Sequence, residues 1–122
     1  MKQEWTFEQF VELLRQDNAE KDGCAYEKAF EIFQGKWNIR VLYELSKCGS
    51  MRFGQLQKAI PKITNTMLVK TLKELEQMGI VQREQFNEIP PHVEYSLSES
   101  GKALLPVFYE IVKWATNYLL VE

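Results

Sequence analysis

The sequence predicts a single, mainly α-helical domain with a small β-hairpin. Three observations lead there. Apolar residues recur at helical spacing over most of the chain, and a period-two pattern is confined to residues 80–97. The 122 residues, 45% of them apolar, suffice for one modest core. No internal repeat, low-complexity tract or linker interrupts the chain.

The elements follow in order. Phe7, Phe10, Val11 and Leu14 form one face of a helix from Thr6, its N-cap, to about Asp17. The polar run from Asn18 to Gly23 breaks the pattern. A second helix starts near Ala25, with Ala29, Phe30, Ile32 and Phe33 apolar, and ends at Gly35. Trp37, Val41, Leu42 and Leu45 make the stripe of a third, which stops near Cys48 and Gly49. Ser50 to Phe53 reads as a single extended strand. Gln55 to Ile60 reads as a short helix halted by Pro61. Thr64 caps the next helix, which places Leu68, Leu72 and Leu75 on one side and closes at Gly79 after about Met78. Strands over Ile80–Glu84 and Val93–Leu97 flank a turn at Asn87–Pro91 and form the hairpin. Ser98 caps a final long helix with Leu104, Leu105, Phe108, Ile111, Val112, Ala115 and Leu119 apolar. Pro106 inside it either bends the helix or moves its start later.

Charge is unevenly distributed. The net charge of −2 argues against nucleic acid only as an average, since association depends on the local field. Residues 1–34 carry eight acids and four bases, and residues 74–122 eight acids and three bases. Between Leu45 and Lys73 lie six cations, Lys47, Arg52, Lys58, Lys62, Lys70 and Lys73, and no acid. A solvated lysine-rich face is the plain alternative. A carboxylate-free stretch in an acidic chain fits a surface that meets phosphates.

The short helix, turn and capped helix form a helix-turn-helix, with the hairpin placed as a wing. With the leucines inward, the outer face of the Thr64 helix carries Asn65, Thr66, Val69, Lys70 and Lys73. Asparagine pairs with adenine edges, lysines reach phosphate or guanine, and threonine and valine methyls meet thymine methyls. An ordinary amphipathic helix shows the same polarity; the missing acids before Glu74 shift the balance. Arg52 and Lys62 flank this unit, and Arg83 and His92 flank the wing tip, where Glu84 and Glu88 oppose close phosphate contact.

Several stretches carry a resemblance. They are Cys24-Ala25-Tyr26-Glu27, Gly35-Lys36-Trp37, Arg52-Phe53-Gly54-Gln55-Leu56 and Ile63-Thr64-Asn65-Thr66-Met67-Leu68. Leu72-Lys73-Glu74-Leu75-Glu76, Gly79-Ile80-Val81 and the run from Ile89 to Ser98 continue the series. In this order they resemble the HxlR-type family of winged helix-turn-helix transcription regulators, relatives of the MarR group. The resemblance implies a homodimer on an inverted-repeat operator, with half-sites ~34–36 Å apart. It implies dimerisation helices at about 1–20 and 98–122 around a winged core at 24–97. The stripes Phe7, Phe10, Val11, Leu14 and Phe108, Ile111, Ala115, Leu119 are consistent with that. Three positions depart from the family: Ala25 stands where proline is common, His92 where arginine or lysine follows the wing prolines, and Lys70-Thr71 where Gln-Arg is frequent.

Cys24 sits at a helix N-cap position with Glu27 three residues on, a setting that lowers thiol pKa. The resemblance makes it a candidate redox sensor; a buried, inert thiol is the even alternative. Cys48, in a polar turn, is incidental. The two cysteines are too few and too far apart for a disulfide framework or zinc site, and no metal or cofactor is expected. One histidine, His92, and no glycine-rich phosphate loop argue against an enzyme; nothing orients a Cys24–His92 pair. A winged helix that binds only another protein is the remaining alternative. No apolar run approaches the ~20 residues of a membrane span, and the N-terminus lacks a signal-peptide pattern. The expected partners are double-stranded operator DNA and a second copy in the cytoplasm, without membrane contact. No residue points to a particular small-molecule effector.

Overall fold

The computed structural model describes residues 6–15 and 25–120. The chain divides into two compact units, Met1–Ile32 and Phe33–Glu122. In the first unit lies α1 (Phe7–Arg15). It is capped reciprocally: Thr6 Oγ1 accepts from the Gln9 backbone N–H at 3.1 Å, and Gln9 Oε1 accepts from the Thr6 N–H at 2.9 Å. Helix α2 (Ala25–Gln34) follows.

The second unit holds α3 (Asn38–Cys48), β1 (Ser50–Arg52), α4 (Phe53–Ala59) and α5 (Asn65–Gln77). It continues with β2 (Val81–Phe86), β3 (His92–Leu97), α6 (Glu99–Ala103) and α7 (Leu105–Tyr118). Its core is built from Val41, Leu42 and Leu45 of α3, Leu56 of α4, and Leu68, Leu72 and Leu75 of α5. Ile60, Ile63, Ile80, Val81, Leu97 and Met51 close it.

The expected hairpin is present as β2 and β3, and the expected Ser50 strand joins it to make a three-stranded antiparallel sheet in the order β1-β3-β2. Ser50, Met51 and Arg52 pair with Ser96, Tyr95 and Glu94, which satisfies backbone groups that a lone strand would leave unpaired. Of the two alternatives that Pro106 left, the later start holds: a short α6 capped by Ser98 ends at Leu104, and the long α7 begins after it. Pro106 falls in the first turn of α7, where its missing N–H forfeits no helical bond.

Both ends of α5 are set locally. Thr64 Oγ1 accepts from the Met67 N–H at 3.1 Å. At the other end Gly79 takes φ +77°, its N–H bonds to the Glu76 carbonyl, and the Ile80 N–H bonds back to that of Leu75. This paired closure is a Schellman motif, and buried Ile80 and Leu75 supply its apolar contact.

Candidate nucleic-acid interface

The turn joining α4 to α5 runs through Pro61 and Lys62, the latter at φ +72°. Beyond it, α5 buries Leu68, Thr71, Leu72 and Leu75. Thr64, Asn65, Thr66, Val69, Lys70 and Lys73 are all exposed on its other side. Thr71 is 4% exposed, so of the pair Lys70-Thr71 only the lysine faces outward. The Gln57 side-chain amide donates to Asn65 Oδ1, which ties the two helices of the motif together.

All six cations between Leu45 and Lys73 are exposed. Lys47 is committed to Glu44 at 3.1 Å. Among the described residues Lys58, Lys62, Lys70 and Lys73 form no ion pair, which leaves their charge to act outward. Helix α5 has no acid in its first turn, where its partial positive end and free N–H groups favour anions.

The two wing residues Arg83 and His92 do not come together. Arg83 pairs in register with Tyr95, whereas His92 pairs with Phe86, and strand alternation puts the two on opposite faces of the hairpin. Arg83 is exposed. The His92 side chain, only 14% exposed, stacks on Phe86 with ring centroids 4.8 Å apart. Its Nε2 lies 2.9 Å from Glu94 Oε2 and its Nδ1 3.8 Å from Glu88 Oε2. Ser50 Oγ donates to the other oxygen of Glu94 at 3.1 Å. Hydrogen bonds from His92 and then Ser50 hold the Glu94 carboxyl below its ordinary value of 4.5.

Apolar side chains are left in solvent elsewhere. Phe7 and Phe10 of α1 are exposed, Val11 is half-buried, and the Leu14 side chain lies outside the described set. Helix α7 buries no residue at all. Phe108 and Ala115 are half-buried and Ile111 and Leu119 exposed. Val107, Ile111, Trp114 and Tyr118 form a second row beside Phe108, Val112, Ala115 and Leu119, so the apolar arc exceeds the ~100° stripe of a helix packed on one side. Phe33, Ile39, Tyr43, Phe108, Ile111 and Val112 line an apolar groove of about 300 Å³.

Residues 32–122 match the family model described as HxlR-like helix-turn-helix. The chain belongs to this family. Among the relatives of this HxlR-type chain, YkvN of Bacillus subtilis, named an uncharacterised HTH-type transcriptional regulator, is 43% identical over 98 residues, covering 80% of this chain and 82% of its own. The reduced form of the transcriptional regulator YodB from B. subtilis superposes with a TM-score of 0.73 at 40% identity, over 78% of this chain and 93% of that one. The redox regulator HypR in its oxidised form gives 0.68 at 37% identity, over 77% and 96%. The winged-helix architecture is therefore shown, and the family consists of transcription regulators, not enzymes.

Cys24 lies outside the described residues. Cys48 is exposed at the end of α3. No helix among the described residues is long and apolar enough to cross a membrane. Sequence patterning missed Arg40 and Glu44 of α3: Glu44 is 3% exposed although its side chain is acidic, which no periodicity rule anticipates. It also missed the Gln57–Asn65 bond, since nothing in a sequence shows which outward polar residues of two helices meet.

Proposed function

We propose that this HxlR-type regulator works as a homodimer that binds an inverted-repeat operator in double-stranded DNA. One observation carries the reading: the outward side of α5, from Thr64 to Lys73, is exposed, cationic and free of carboxylates. In this reading Asn65, Thr66 and Val69 meet base edges, while Lys62, Lys70, Lys73, Arg52 and Arg83 meet phosphates. His92, held by Glu94 and Phe86, supports the wing's shape more than it reaches for the backbone. The unburied apolar rows of α7, with Phe7 and Phe10 of α1, supply self-association surfaces. Cys24 makes the regulator thiol-responsive, a role consistent with the likeness to HypR, a redox regulator.

A footprint over the duplex upstream of the protein's own gene, repeated with reductant and with diamide, tests these points. The expected result is a two-fold symmetric protected sequence whose occupancy falls steeply with salt and changes with diamide. Absence of protection on any duplex at low salt defeats the DNA reading and favours a protein-binding winged helix. A Cys24→Ser variant that keeps the normal diamide response removes the thiol role alone.

A further inference from the structure

Arg40, Tyr43, Glu44 and Lys47 occupy one face of α3 at intervals of three and four residues. Arg40 Nη2 donates to the carbonyl oxygen of Ala59 at 3.2 Å and stands 3.5 Å from Glu44 Oε2. Ala59 is the last residue of α4, and its carbonyl is among those a helix end leaves without an intrahelical partner. A guanidinium there also meets the negative end of the helix. Behind it, Glu44 is buried, and its Oε2 accepts no hydrogen bond among the described residues. Lys47 Nζ holds the other oxygen, Oε1, at 3.1 Å. The Tyr43 ring steadies both cations, Arg40 at 5.9 Å and Lys47 at 4.9 Å from its centroid.

A buried carboxylate is a poor way to gain stability, because the desolvation cost offsets much of the pairing. Its use here points to geometry. Helix α4 is only seven residues long, and its core anchor is Leu56, followed by Ile60 at the C-cap. Apolar burial is non-directional and leaves helix tilt weakly defined. The Arg40–Ala59 bond is directional and grips α4 at the point where the chain departs through Pro61 and Lys62 toward α5. We infer that Arg40, braced by Glu44, is a positioning residue that sets the angle of α4 against α3 and, through the turn at Pro61 and Lys62, the placement and sequence selectivity of α5. This rests on the proposed reading of DNA by α5.

The test selects a duplex from a random-sequence library with the wild-type full chain. It then compares affinity for that duplex with affinity for a scrambled duplex of equal length. Arg40→Ala is expected to lower the selected-to-scrambled ratio about tenfold while leaving scrambled binding and its salt slope unchanged. Arg40→Lys, which keeps one donor, is expected to recover part of the ratio. If Arg40→Ala fails to fold, the Arg40→Met/Glu44→Met protein removes both charges together; it is expected to melt near the wild type yet keep the lowered ratio. A wild-type ratio in the folded Arg40→Ala protein, or in the double variant, overturns the positioning role alone. A wild-type chain that enriches no sequence overturns the DNA reading and this inference with it.

Discussion

The side-chain amide of Gln57 donates to Oδ1 of Asn65, so the acceptor atom that an asparagine offers an adenine edge is occupied within the protein. Oδ1 keeps a second lone pair, so base reading either shares this acceptor with Gln57 or displaces it. Gln57→Ala is therefore expected to tighten binding to the selected duplex, and Asn65→Ala to flatten preference at one base pair by about 1–3 kcal/mol. Affinities against a panel of single-base variants check both. An Asn65→Ala profile identical to the wild type removes Asn65 from the reading face.

Lys70 and Lys73 are exposed on α5 and form no ion pair among the described residues. Replacing either with alanine is expected to weaken binding to all duplexes alike. The log–log salt slope should fall by about 0.9 for each phosphate that the variant no longer neutralises. Titrations at several salt concentrations measure this, and an unchanged slope would place the lysine away from the backbone.

Gly101 is buried in α6, where an added Cβ would lie 2.4 Å from the Ile80 carbonyl oxygen. That oxygen also accepts the Ser98 N–H at 2.9 Å, so it is not free to retreat. Gly101→Ala is expected to destabilise the fold by roughly 1–3 kcal/mol, as overpacking does. Denaturant unfolding supplies the measurement; wild-type stability would show that the packing of α6 on the Ile80 backbone relaxes freely.

The lowered pKa of Glu94 has a stability consequence with a definite sign. The unfolded chain binds this proton more readily than the folded one, so the contribution is complete above the ordinary value of 4.5 and disappears as pH falls through the lower folded value. Facing Glu94 are His92, Ser50 and Arg52, with Glu84 opposite it on β2. Glu94→Gln is expected to flatten the acid limb of the stability–pH curve relative to wild type. Equal acid limbs for the two proteins would mean the wing network is not coupled to folding.

Lys62 adopts φ +72° in the helix-turn-helix turn, a region that costs a side-chain-bearing residue about 1–2 kcal/mol. Lys62→Gly is expected to gain up to about 1 kcal/mol after the greater freedom of unfolded glycine is subtracted. The same change removes one cation, so duplex affinity should fall while thermal stability rises. Melting and titration of one sample separate the two effects.

Much of this was legible in the residues alone because it depends on near neighbours. Thr64, three leucines at helical spacing and Gly79 define α5 from cap to closure through bonds spanning at most five residues. The outward set from Asn65 to Lys73 follows as the complement of those leucines. Ser50–Arg52 is different. Its extended conformation was legible, but the partners that place it in the sheet lie more than forty positions away.

The chain's order of elements, its acid-free segment and the exposed side of α5 were thus determined by the sequence itself, since periodicity and caps act within one or two turns. Tertiary structure decided the rest: the pairing of β1 with β3, the choice of a break at Leu104 over a bend, the opposed faces of Arg83 and His92, and the grip of Arg40 on Ala59. Each of these depends on register or on a contact between separate elements. Such contacts are set by how surfaces fit and where unpaired polar groups find partners, which no local pattern of residues encodes.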